Sequence, residues 1–142
     1  MKIGILKKAD ITPAVQDQVS ALFQQLSPGK KEVSLKKIFE RESQITLAYC
    51  KNAGRIIGIA LMVNYSVISG KKAWIEDVVV DVTARGKGVG RKLMMKLLEV
   101  AREKSLSEVL LFTEDHRKSA IHLYQSLGFK LKDSKIYILK SE

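Results

Sequence analysis

Apolar and polar positions along the chain change their period several times, and each change marks an element. Lys2–Leu6 is a short apolar-rich run suited to a first strand. Thr12-Pro13 then reads as an N-cap followed by proline at the first helical position. Val15, Val19, Leu22, Phe23 and Leu26 recur at helical spacing until Ser27-Pro28-Gly29 stops them, and Ser34 opens a shorter helix carrying Leu35, Ile38 and Phe39. From Ile45 the texture becomes β-branched. Ile45–Cys50 and Ile56–Val63 are strands joined through Asn52-Ala53-Gly54, and Ser69-Gly70-Lys71-Lys72 turns the chain into a third strand, Ala73–Val80. Val89, Leu93, Met94, Leu97, Leu98 and Ala101 form one helical stripe ending near Lys104. Val109–Thr113 reads as a buried strand, Arg117–Leu127 as an amphipathic helix closed by Gly128, and Lys135–Lys140 as a final alternating strand. The order β-α-α-β-β-β-α-β-α-β predicts a mixed α/β fold, four helices packed on a mixed sheet, with a right-handed crossover between parallel strands over Ile75–Thr113.

Length and composition agree with that picture. The chain has 142 residues, 46% hydrophobic and 28% charged, values that suit one globular domain and exclude wholesale disorder. We read residues 1–142 as a single domain without linker, repeat or low-complexity tract. The single cysteine, Cys50, excludes an intrachain disulfide and a Cys-rich zinc site, and it reads as a small core hydrophobe. No stretch reaches the roughly 18 apolar residues of a membrane span, and no signal-peptide core opens the chain, so the expectation is a cytoplasmic protein.

Charge adds a direction. Lys and Arg number 25 against 15 Asp and Glu, a net charge of +10. Such a balance points to a polyanionic partner: nucleic acid, a phosphate-bearing cofactor or an acidic surface. Between Asp81 and Glu99 lie Arg85, Lys87, Arg91, Lys92 and Lys96 with no acid among them. That window surrounds Arg85-Gly86-Lys87-Gly88-Val89-Gly90-Arg91, a loop between a strand and a helix with glycines at alternate positions. Glycines let the backbone approach a ligand, and the first helical turn offers unpaired N–H groups with the positive end of the helix dipole. The loop is a seat for a phosphate or pyrophosphate. It lacks the Gly-Lys-Ser/Thr of a Walker loop and the Gly-x-Gly-x-x-Gly spacing of a dinucleotide fingerprint.

Arg85, Gly88 and Gly90 fill the Arg/Gln-x-x-Gly-x-Gly/Ala pattern of motif A in the Gcn5-related N-acetyltransferase (GNAT) superfamily, and the segment resembles that motif over residues 78–93. Ala120-Ile121-His122-Leu123-Tyr124-Gln125-Ser126-Leu127-Gly128-Phe129 is similar to a second segment of the family, Ala-x-x-Leu-Tyr-x-x-x-Gly-Phe. The resemblance implies the GNAT fold, acetyl-CoA as co-substrate, and an N-acetyltransferase acting on a primary amine by direct attack. It implies that backbone groups of Val78, Val79 and Val80 pair with the pantetheine arm. Amides from Arg85 through Gly86, Lys87, Gly88, Val89 and Gly90 would hold the pyrophosphate, with Arg91 adding charge. Tyr124 matches the tyrosine that contacts CoA and protonates its departing thiolate. Arg117 stands where many members have asparagine, and it would offer charge to a phosphate. Many members dimerise, which leaves a homodimer open.

Attack of a neutral amine on a thioester needs a proton acceptor, an oxyanion donor and an acid for sulfur. Glu76 and Asp77 lie in an otherwise apolar strand, where unused carboxylates are costly. Strand alternation predicts that they face opposite ways. Glu76 is our candidate base, with water or Asp77 as alternatives, and a backbone N–H near Val78 is the oxyanion donor. No metal is expected: His116 reads as a cap or loop residue, His122 as exposed, and the two are too far apart to form a convincing site. Trp74 either lines the acceptor cleft or packs. A non-catalytic acyl-CoA sensor of the same fold is the alternative reading. A basic nucleic-acid-binding domain ranks below both, because the basic residues are not interleaved with exposed aromatics and no helix-turn-helix or zinc pattern is present. The acceptor, a small-molecule amine or a protein amine, is not specified by any motif.

Overall fold

A computed structural model of the chain describes residues 1–141. Two compact units are present, Met1–Phe112 and Thr113–Glu142.

The first unit is a five-stranded sheet in the order β1-β2-β3-β4-β5, formed by Lys2–Leu6, Ile45–Asn52, Arg55–Val67, Gly70–Val80 and Glu108–Leu110. The first four strands are antiparallel neighbours, and β4 pairs with β5 in parallel. Its helices are α1 (Pro13–Leu26), α2 (Leu35–Ile38) and α3 (Val89–Glu103). The caps follow the sequence. Thr12 Oγ1 accepts from the Val15 N–H at 3.2 Å with proline at the start of α1, and Ser34 Oγ accepts from the Lys37 N–H at 3.3 Å.

Each face of the sheet is covered by different helices. On one face Val19 and Leu22 of α1 and Leu35 of α2 pack with Phe39, Leu47, Ile59 and Leu61. α3 buries Val89, Leu93, Met94, Leu97 and Ala101 of the predicted stripe, with Leu98 half-buried. Each such large side chain contributes roughly 1.5–3 kcal/mol when fully removed from water. Gly58 on β3 is where α3 comes down on the sheet, since a Cβ there would lie 2.9 Å from Val89 Cγ1 and 3.0 Å from Leu93 Cδ1. Cys50 is fully buried and Trp74 packs edge-on against Phe112 with ring centroids 6.1 Å apart.

The second unit holds α4 (Lys118–Ser126) and its flanking loops. The expected final strand is not formed: residues 135–141 carry no regular structure, and Ile136, Tyr137, Ile138 and Leu139 are all exposed. Alternation alone does not make a strand; a strand also needs a neighbour for its N–H and C=O groups. β5 is likewise shorter than expected, ending at Leu110 rather than Thr113.

Candidate active site

The break between β4 and β5 organises the first unit. Their parallel pairing covers only Lys72↔Glu108, Ala73↔Val109 and Trp74↔Leu110. From Ile75 to Val80, β4 runs on with β3 on one side and no paired strand on the other among the described residues. Such an edge takes up an extended chain bearing amide groups by strand addition. It leads directly into the glycine loop. Asp81 caps the turn, its Oδ1 accepting from the Thr83 N–H at 2.9 Å and the Thr83 hydroxyl at 2.7 Å. These bonds hold its carboxyl below the usual carboxylate range. Arg85 Nε donates to the Val80 carbonyl at 3.2 Å, so that carbonyl already has a partner.

Gly88 is the N-cap of α3 with φ +78°, a left-handed conformation that a side chain would strain. Arg85, Gly86, Lys87, Gly88 and Arg91 are all exposed, while Val89 is buried and anchors the turn to the sheet. The loop expected to seat a phosphate is thus an exposed helix start with cations around it. Strand edge and helix start are contiguous along the chain.

Glu76 and Asp77 depart from the expected alternation. Glu76 pairs with Leu61 and Val79 with Ile59, so two residues of β4, Asp77 and Val78, stand against Ala60 alone. Asp77 takes φ +51° at this bulge, a left-handed conformation that aspartate tolerates better than most residues. The extra residue breaks the two-residue period, and the two carboxylates are not sent to opposite faces. Asp77 lines a cavity of about 420 Å³ between α1, α2 and β2–β4. Glu76 sits opposite Leu61, itself a wall of that cavity. Burial raises the pKa of both groups, and the Asp77 charge raises that of Glu76 further.

Sequence reasoning missed the cavity, which Gln16 lines, and the glutamines of α1 that bond distant backbone. Gln16 Oε1 accepts from the Leu35 N–H at 2.8 Å, Gln18 Oε1 from the Ile56 N–H at 2.7 Å, and Gln25 Oε1 from the Val82 N–H at 3.0 Å. One helix thereby ties α2, β3 and the glycine-loop turn together. Partners 19 to 57 residues away leave no local signature.

In the second unit, Tyr124 is half-buried on α4 and burial raises its phenol pKa, with a smaller opposing effect from Arg117. Arg117 is the exposed N-cap residue of α4 and makes no side-chain cap. His116 lies in the turn before that helix, 3.2 Å from Glu114, and His122 is exposed. Among the described residues no group of three or more His, Cys, Asp or Glu is placed to hold a metal ion.

Comparison with known proteins gives the class, an acetyltransferase. A family model of acetyltransferases, the GNAT family, matches residues 13–129. Glucosamine 6-phosphate N-acetyltransferase of Trypanosoma brucei brucei is 35% identical over 106 residues, covering 72% of this chain and 70% of that protein. Thialysine N-epsilon-acetyltransferase of Sus scrofa is 39% identical over 64 residues, 45% of this chain and 38% of that protein. Among solved structures, an aminoglycoside acetyltransferase from an uncultured soil metagenomic sample superposes with a TM-score of 0.84 at 18% identity, covering 99% of this chain and 95% of that one. The chain belongs to the acetyltransferase (GNAT) family, whose members are acetyl-CoA-dependent N-acetyltransferases.

Proposed function

We propose that the protein transfers the acetyl group of acetyl-CoA to a primary amine by direct attack. The observation that carries this reading is the break in β4 pairing after Trp74, which leaves an open strand edge running into the cation-ringed start of α3. Acetyl-CoA supplies an activated acyl group. Val78, Val79 and Val80 hold its arm along the edge, and Arg85 through Arg91 hold its pyrophosphate. Arg117 adds charge for a phosphate.

Asp77 meets the ammonium form of the amine in the cavity. Glu76, directly or through water, takes the proton that must leave before attack; its raised pKa makes it a better proton acceptor than an ordinary glutamate. The N–H near Val78 faces the developing oxyanion. As the C–N bond forms and the C–S bond breaks, Tyr124 gives its proton to the thiolate. The phenol carries that proton at neutral pH, and burial raises its pKa further. The same reading places the protein in the cytoplasm and allows a homodimer, for which the exposed Ile136–Leu139 run offers apolar surface.

Calorimetric titration with acetyl-CoA, paired with thiol release across an amine panel, tests the proposal. Binding with release supports it. Binding without release for any amine favours a sensor, and no binding overturns both.

A further inference from the structure

The cavity beneath Asp77 constrains the acceptor. Its walls are the side chains of Val19, Phe23, Leu35, Leu47, Ile59 and Leu61 with other apolar neighbours. Its few polar side chains are mostly engaged elsewhere. Gln16 uses Oε1 on the Leu35 N–H and Nε2 on the Ser20 hydroxyl at 3.0 Å. Glu32, at the exposed mouth, accepts from Gln24 at 2.9 Å, and it neighbours the one cation there, Lys31. Asp77 differs: it stands exposed at the rim of the cavity, and its carboxylate has no hydrogen bond or ion pair among the described residues.

We infer that the acceptor is a monoamine with an apolar body, an arylalkylamine or branched alkylamine, whose ammonium meets Asp77 while its hydrocarbon fills the cavity. This rests on the acetyl-transfer reading above and narrows it. An unpaired carboxylate at the rim of an apolar cavity attracts a single cation, and the walls are relieved by hydrocarbon in place of water. A sugar phosphate would bring hydroxyls that these walls cannot satisfy. A polyamine would press a second ammonium against the same apolar surface. The Trypanosoma relative is named for an amino-sugar phosphate, so the two proteins differ in acceptor if the inference holds.

The test titrates the full chain with 2-phenylethylamine, its neutral counterpart 2-phenylethanol, glucosamine 6-phosphate and spermidine, and measures thiol release from acetyl-CoA with each amine. Burial of an aromatic group predicts that 2-phenylethylamine binds roughly tenfold or more tightly than the other two amines. Asp77→Asn, which keeps a residue tolerant of the left-handed conformation, should weaken 2-phenylethylamine and leave 2-phenylethanol unchanged. Equal or tighter binding of the sugar phosphate or spermidine overturns the inference, as does an Asp77→Asn variant that is folded and unfolds cooperatively yet binds 2-phenylethylamine unchanged. Thiol release with glucosamine 6-phosphate alone sinks the acceptor class and leaves acetyl transfer standing. Tight 2-phenylethylamine binding without thiol release from any amine does the reverse.

Discussion

Tyr124 and Phe129 are locked together by backbone and by ring. The Phe129 N–H donates to the Tyr124 carbonyl at 3.1 Å, the Gly128 N–H donates to the Gln125 carbonyl at 3.1 Å, and the two rings meet edge-on at 6.1 Å. This is a Schellman helix end with the apolar contact that accompanies it. Gly128, at φ +98°, makes the reversal. The Leu-Tyr-x-x-x-Gly-Phe spacing thus has a physical meaning: it fixes the helix turn that carries Tyr124. Nothing lies within 4 Å of a Cβ at Gly128, so Gly128→Ala pays only for the left-handed backbone, about 1–2 kcal/mol. Urea unfolding measures that loss. A clash-free position that loses nothing would show that the turn is not held.

Tyr124→Phe keeps this ring contact and removes only the phenol proton. Loss of a general acid costs typically 10²–10⁴-fold in turnover. We expect kcat to fall by about 10²-fold or more while the calorimetric Kd for CoA stays within about twofold. Parallel losses in kcat and Kd would assign Tyr124 to packing.

Much of this was legible in the sequence because its causes are local. Thr12-Pro13, Ser34, Gly88 and Gly128 are caps whose partners lie within a turn, and the α3 stripe needs only the helical period. The crossover from Ala73 through α3 was readable for the same reason, although β5 stops early. The bulge at Asp77 was hidden. It is a relation between β3 and β4, an extra residue set against Ala60, and no period within β4 announces it. The cavity was hidden too, since Gln16, Leu35, Ile59 and Asp77 come together only through the fold. The exposed run Ile136–Leu139 shows the converse, a local pattern that no neighbour completes.

Asp77 and Asp81 should shift stability with pH in opposite directions. Asp77 has its folded pKa raised above the ordinary 3.8 by burial. The folded state keeps the proton longer, so stability falls as pH rises from 3.8 through the raised value and then levels. Asp77→Asn removes that penalty, and its advantage over the wild type should grow with pH above about 4. Asp81 has its folded pKa lowered, chiefly by Thr83. Its contribution is present above 3.8 and lost as pH falls through the lowered value, so Asp81→Asn should cost more at neutral pH than in acid. Melting temperatures of both variants between about pH 3 and pH 7 decide the matter; matching slopes would refute the assignment.

Gly58 couples sheet packing to the phosphate seat. A Cβ there meets Val89 Cγ1 at 2.9 Å and Leu93 Cδ1 at 3.0 Å. Val89 is buried and β-branched, with little rotamer freedom to yield. α3 must therefore move outward, carrying the Gly88 cap with it. Gly58→Ala should cost about 1–3 kcal/mol of stability, as overpacked cores do. It should also weaken CoA binding without touching a charged group.

Charge reversal at Arg85 and Lys87 separates the electrostatic part of that seat from its geometry. Both side chains are exposed, so their attraction for a phosphate acts through water and is screened within about 8–10 Å at physiological salt. Arg85→Glu with Lys87→Glu should therefore weaken CoA binding severalfold or more at low ionic strength, and the deficit should shrink as salt rises. Gly58→Ala displaces backbone amides instead, and its deficit should persist across the same salt series. Arg85 also donates to the Val80 carbonyl, so a salt-independent remainder is expected in Arg85→Glu alone and not in Lys87→Glu. Calorimetric Kd values for the four variants across a salt series give the comparison. If Lys87→Glu binds CoA like the wild type at low salt, the loop cations do not hold the phosphates, and the seat rests on backbone amides alone.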